Sequence, residues 1–136
     1  MTHVLLVGED VALLEGLAQS LGAQGHDPVV ATSLAEARDL ALTQPPLVLV
    51  VNRSLASNAG AELLAIPLAA GGARLLYRAA TMPLAPLLPA LQRSVLADLT
   101  LPLERHRLSA LVTSLGDRAH ATGRSMRPSP PDTRAR

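Results

Sequence analysis

Short apolar runs alternate along this chain with stretches of helical periodicity. His3–Val7 (HVLLV) and residues 47–51 (LVLVV) are unbroken apolar runs of strand length, the pattern of strands buried on both faces. Residues 29–31, after the His26-Asp27-Pro28 turn, read as a shorter strand, and residues 74–77 (RLLY) and 95–99 as two more. Between the first two strands, Leu14, Leu17, Ala18 and Leu21 fall on one helical stripe, with Asp10 placed to cap its start and Gly22 and Gly25 to stop it. The next helix opens at Ser33 with Glu36 three residues on, a capping box. Its stripe runs through Leu34, Ala37, Leu40 and Ala41 and ends at Pro45-Pro46. A last helix follows Pro102, with Leu108, Leu111, Val112 and Leu115 aligned.

Strands alternating with helices at this spacing predict an α/β fold, a doubly wound parallel sheet of five strands. In such sheets ligands sit beyond the carboxyl ends of the strands. Two regions fit poorly. Residues 59–70 should be the third helix, yet they contain Pro67 and run into Gly71-Gly72. Residues 82–92 should be the fourth, yet Pro83, Pro86 and Pro89 recur every third position. Each interior proline removes a backbone hydrogen bond and costs about 3 kcal/mol, so this helix is expected to be short, distorted or partly extended.

Composition narrows the chemistry. Hydrophobic residues make up 49% of the 136, which excludes disorder throughout. The core must be aliphatic, because 28 Leu and 23 Ala stand against one Tyr and no Phe or Trp. Aromatic stacking platforms for single-stranded nucleic acid are therefore excluded. Without cysteine there are no disulfides, thiolate zinc sites or thiol nucleophiles. All 12 basic residues are Arg, so lysine chemistry is absent as well. No apolar run reaches the ~18 residues of a membrane span, and the start lacks the charged region of a signal peptide; a soluble, cytoplasmic protein without membrane contact is expected.

The net charge of +1 hides an asymmetry: residues 1–116 carry seven Arg against nine acids, and residues 117–136 five Arg against two Asp. Residues 124–136 are also rich in Pro and poor in large apolar side chains. The expected organisation is a body over 1–116 and a basic, Pro-containing tail or linker over 117–136. A solvated leash is the plain reading of that tail, and DNA contact through it the weaker one.

Residues 3–116 resemble the receiver domains of two-component response regulators. The resemblance rests on HVLLVGEDVALLEGLAQSLGAQGHDPVVATSLAEARDLA, on LVLVVN, and on Leu101-Pro102-Leu103 before the last helix, where receivers have Lys-Pro-Phe, often with a cis peptide. It implies a flavodoxin-like sheet and a signalling role. The family's reactive residues do not follow. Its two Mg²⁺-holding acids correspond to Gly8 and Glu9, its phosphoacceptor Asp to Asn52, and its Lys to Leu101. The Thr/Ser position corresponds to Arg78, or to Tyr77 if the register is one residue off, and the aromatic switch position to Asp98. Phosphoryl transfer from histidine needs a carboxylate nucleophile, which the Asn52 amide replaces poorly. Mg²⁺ wants carboxylate and water oxygens; taking Asp10 as a ligand adds one carboxylate but no nucleophile.

Several residues carry two readings. Arg78 either enters the pocket and pairs with Glu9, standing in for metal and lysine, or lies in a loop facing water. Asn52 is expected to hydrogen-bond neighbouring backbone. Ser54 and Ser57 are read as loop residues, since no base accompanies them. His3, His26, His106 and His120 lack ligand spacing. Gly8 alone does not make a dinucleotide fingerprint, because the second glycine is missing.

The expectation is therefore a degenerate receiver-like domain that is not an enzyme, needs no cofactor or metal, and works independently of phosphorylation through a protein partner or a homodimer. The candidate interaction face is Leu84, Leu87, Leu88 and Leu91 with Arg105 and Leu108, where closely spaced prolines prevent all the leucines from turning inward. The alternative is a module binding a nucleotide or metabolite in the strand-end crevice. An open crevice around Gly8, Asn52 and Arg78 would favour the alternative; one plugged by Leu101, Arg78 or Tyr77 would favour the interaction module.

Overall fold

The computed structural model describes residues 2–81 and 86–126. Its elements alternate as read from the sequence: β1 (His3–Val7), α1 (Val11–Ala23), β2 (Asp27–Ala31), α2 (Leu34–Thr43), β3 (Val48–Asn52), α3 (Arg53–Asn58), α4 (Gly60–Leu64), β4 (Ala73–Arg78), α5 (Pro89–Ser94), β5 (Val95–Thr100) and α6 (Arg105–Met126). The five strands form one parallel sheet in the order β2-β1-β3-β4-β5. The order reverses between β1 and β3, so the loops after these two strands diverge and open a crevice at their carboxyl ends.

Strand alternation divides the core into two layers. Val4, Leu6, Val48, Val50, Leu75 and Tyr77 face one side, where Leu14, Leu17 and Leu21 of α1 and Leu108, Val112 and Leu115 of α6 cover them. Leu5, Val7, Leu49, Val51 and Leu76 face the other, beneath α2, α4 and α5. Unbroken apolar runs at β1 and β3 thus serve both layers at once. Ser33 caps α2 as expected, its Oγ accepting from the Glu36 N–H at 3.1 Å, while Glu36 Oε1 accepts from the Thr32 N–H at 2.8 Å. Asp10 occupies the N-cap position of α1, but its side chain makes no cap hydrogen bond.

The departures from expectation have local causes. Of the helix expected over 59–70 only α4 forms, and another short helix, α3, precedes it, because Asn52 starts α3 directly at the strand end: its Oδ1 accepts from the Ser54 N–H at 2.8 Å. Ser54 and Ser57 consequently lie in a helix and not in a loop. Helix α4 stops at Leu64, just before Ile66-Pro67, and the Arg74 guanidinium donates from Nη2 to the Leu64 and Ile66 carbonyls at 3.2 Å each. Among the described residues the proline-rich region forms the short α5, with Pro89 in its first turn where a missing N–H costs nothing; Pro83 and Leu84 lie outside the described residues. The expected division at 116/117 falls inside α6, which runs to Met126 and still packs Ala119 on the core. No helix among the described residues is long and apolar enough to cross a membrane.

Candidate functional site at the strand ends

The loop after β1 brings Gly8, Glu9 and Asp10 beside Asn52 at the end of β3 and Tyr77 at the end of β4, where Asn52 and Tyr77 are register partners. Gly8 is buried, and its N–H donates to the Ala31 carbonyl at 3.1 Å. A Cβ at position 8 would lie 2.1 Å from the Tyr77 hydroxyl oxygen, 3.2 Å from its Cζ and 3.4 Å from Asn52 Cβ. The tyrosine therefore fills the volume in which a side chain at position 8 would stand. Glycine here is the complement of Tyr77, and any larger residue would have to displace the ring.

Tyr77 is fully buried, and among the described residues no group forms a hydrogen bond of standard geometry with its hydroxyl, although Asn52 and Asp10 face it. Burial pushes its pKa up to about 12, and the negative charges of Asp10 and Glu9 push the same way, against the pull of Asn52. Asn52 is 9% exposed and doubly engaged: Oδ1 caps α3, and Nδ2 donates to Asp10 Oδ2 at 3.3 Å. Asp10 and Glu9 are exposed at the rim, so of the two it is Asp10, the alternative ligand, that reaches Asn52.

These donors do not fit a divalent cation of the kind receivers use. One contributor is a neutral amide already committed to a backbone N–H and a carboxylate, and a phenol fills the neighbouring volume. Among the described residues no group of three His, Asp or Glu side chains is disposed to hold a metal ion.

Leu101 does not reach the crevice. It is buried in the α1/α6 layer, its N–H donates to the Arg78 carbonyl at 2.9 Å, and its bond to Pro102 is cis, as the resemblance implied. Arg78 ends β4 half-buried, with Nη1 donating to the Ala79 carbonyl at 3.5 Å. Glu104, in the turn before α6, is held below the usual carboxylate range first by the Thr100 N–H, then by Arg107, with the Arg78 charge adding to the effect.

The ion pair between Arg53, the first residue of α3, and Asp98 of β5 had no counterpart in the sequence reading. It spans β4 and ties the strand-end helix to the edge of the sheet. Alternation in β5 puts Asp98 on the same side as Leu96, which is 53% exposed. Arg53, Leu87, Leu96 and Asp98 help line a cavity of about 260 Å³ that the short α5 leaves uncovered.

The expected interaction face separates into core and surface. Leu91 and Leu108 are buried at 0% and 1% exposure, in layers on opposite sides of the sheet, so they are packing residues. Leu91 turns inward because α5 presents it toward α4, next to Gly60. Leu87 is half-buried, Leu88 is 54% exposed, and Arg105 is exposed. Leu84 lies outside the described residues. At the opposite end of the sheet, His3, His26 and His120 line a cavity of about 500 Å³. His3 Nδ1 lies 3.3 Å from Asp27 Oδ2, and His26 bonds Thr113 at 3.3 Å.

This architecture is that of receiver domains. The chain superposes on a response regulator receiver domain protein from Clostridium thermocellum with a TM-score of 0.70 at 14% identity, over 90% of this chain and 99% of that one. The Francisella response regulator 1452 receiver domain gives 0.63 at 18% identity, over 88% and 99%. The signal receiver domain of a putative Luxo repressor protein from Vibrio parahaemolyticus gives 0.67 at 16%, over 93% and 98%. At these identities what is shared is the fold. No protein-family model matches the chain, and no curated protein matches its sequence.

Proposed function

We propose that this chain is a response-regulator signalling module of receiver type that works without phosphorylation, through protein contacts, and catalyses no reaction. The observation that carries this reading is the Tyr77 hydroxyl in the side-chain volume of position 8, beside an Asn52 whose amide is already engaged at both ends. A crevice filled from within offers neither a nucleophile nor room for a cation. The same plug argues against a nucleotide or metabolite there. Protein contact is supported by exposed Leu96, which lines the cavity under α5 together with half-buried Leu87, and by exposed Leu88 at the start of α5. Of the tail over 117–136, to which a DNA contact would fall, residues 127–136 lie outside the described residues.

Incubation with acetyl phosphate and Mg²⁺, read by intact mass, tests the first half. No added mass is expected. A phosphoryl adduct that disappears on substituting Asn52 overturns the reading.

A further inference from the structure

The cavity of about 500 Å³ lies at the amino ends of the strands, across the sheet from Asn52 and Tyr77. Helix α6 reaches it because residue 116 is glycine: a Cβ there would lie 2.2 Å from the Thr2 Oγ1. The next turn of α6 brings Asp117 and His120, three residues apart on one helical face, to the cavity that His3 also lines from the start of β1. Gln24, the C-cap of α1, adds a further polar side chain, and Leu47 and Ala69 supply an apolar floor.

The hydrogen bonds already made decide what this wall offers. His3 Nδ1 lies 3.2 Å from the Asp27 carbonyl oxygen and 3.3 Å from Asp27 Oδ2. Both partners are acceptors, so the ring proton sits on Nδ1 and Nε2 keeps a lone pair. Gln24 donates from Nε2 to Ser109 Oγ at 3.2 Å, which leaves its Oε1 as an acceptor. Asp117 is exposed and makes no ion pair among the described residues. The chain has no Lys, and none of the described Arg residues lines the cavity. Helices α1 and α2 run back against the strands and end on this side, with no basic residue in either last turn, so the negative ends of their dipoles are uncompensated. Acceptors in a negative potential suit a cation that carries several N–H groups, and the apolar floor suits a short hydrocarbon stem.

We propose that this cavity binds a small organic cation, an alkylguanidine or alkylamine, whose N–H groups donate to the Asp117 carboxylate, His3 Nε2 and Gln24 Oε1. The site is remote from the strand-end crevice and stands whether or not that crevice takes up phosphate.

Titration of the full chain with agmatine, followed by the ring resonances of its four histidines, tests it. Saturable binding with a Kd of about 1 mM or tighter is expected. His3 and His120 should shift, while His106, exposed in the first turn of α6 and away from the cavity, should not. Tetramethylammonium, which has the charge but no N–H, and inorganic phosphate should not bind. Asp117→Asn should weaken agmatine binding by about fivefold or more. Asp39→Asn, which removes an exposed carboxylate of α2 outside the cavity, should leave it unchanged. Gln24→Glu adds a charge to the wall while its carboxylate can still accept from the Ser109 hydroxyl, so it should tighten binding, a gain that a damaged fold does not produce. Absence of saturation, equal binding of tetramethylammonium, shifts led by His106, or an affinity indifferent to both Asp117→Asn and Gln24→Glu overturns the proposal.

Discussion

The hydroxyl of Tyr77 and the missing side chain of Gly8 occupy one volume: a Cβ at position 8 would sit 2.1 Å from that oxygen. The two residues lie far apart in sequence and meet only because β1 and β4 flank β3 in the sheet. Gly8 and Tyr77 thus form one packing unit, in which the phenol takes the space that a side chain at position 8 would need.

That relationship predicts non-additivity. Gly8→Ala should destabilise the fold by about 1–3 kcal/mol, because the methyl collides with a ring held in a close-packed core. Tyr77→Phe removes a buried hydroxyl that lacks a partner and should be neutral or stabilising by about 1 kcal/mol. In the double variant the oxygen that blocks the methyl is gone, so the cost of Gly8→Ala should fall by more than half. Urea unfolding of the four proteins measures this. Strict additivity would show that the two side chains do not share the volume.

Tyr77 is the only tyrosine in the chain, and there is no tryptophan, so its ionisation can be followed alone by ultraviolet absorbance. Its pKa is raised from 10.0 to about 12 by burial first and by Asp10 and Glu9 after it. The folded state therefore holds the phenolic proton more tightly than the unfolded chain. The resulting stability is intact below pH 10.0 and is lost as the pH climbs toward about 12, a change on the order of 2–3 kcal/mol. The expected titration of the native protein is late and coincides with unfolding, whereas in denaturant the midpoint returns to the ordinary phenol value. A native midpoint at that ordinary value would place the hydroxyl in water.

Asn52→Asp tests the amide. The new carboxylate keeps an oxygen for the Ser54 N–H but replaces the donor that reaches Asp10 Oδ2 at 3.3 Å, setting two negative charges face to face. A loss of about 1–2 kcal/mol is expected at neutral pH. It should shrink as the pH falls through about 4, where carboxylates protonate. Acetyl phosphate should still add no mass, since Tyr77 continues to fill the volume at position 8. Thermal melts at several pH values and intact mass together check it.

How far the sequence carried these conclusions depended on the distance between partners. The apolar runs of β1 and β3 and the Ser33–Glu36 cap are local patterns, and each has its counterpart in the structure. Asn52 is expected from the sequence to hydrogen-bond neighbouring backbone, and it does so by accepting from the Ser54 N–H; that this bond starts a helix has no signal in the sequence, because α3 is a single short turn-length element without an apolar stripe. Tyr77 against Gly8 and Arg53 against Asp98 are pairings between separate strands and helices, which no periodicity reports. For Arg53–Asp98 a signal did exist: a lone carboxylate inside an otherwise apolar strand calls for a partner. The prolines around α5 correctly foretold a short helix but not the direction its leucines take, which depends on packing against α4: Gly60 admits both Leu88 and Leu91, and only Leu91 is fully covered.

That last distinction separates four leucines that look alike in sequence. Leu91 and Leu108 are buried, while Leu88 and Leu96 are 54% and 53% exposed. Replacing Leu91 or Leu108 with Ala removes methyl groups from a filled layer and should cost about 2–5 kcal/mol. Replacing Leu88 or Leu96 with Ser removes side chains already half in water, and the cost should stay within about 1 kcal/mol. A partner that docks against the cavity under α5 adds a second contrast. Binding should be lost in the Leu88→Ser, Leu96→Ser protein, which remains folded, and retained in any Leu91→Ala protein that is still folded at the assay temperature. Chemical denaturation ranks the four stabilities. If Leu88→Ser or Leu96→Ser proves as costly as Leu91→Ala, these side chains belong to the core and the contact surface lies elsewhere.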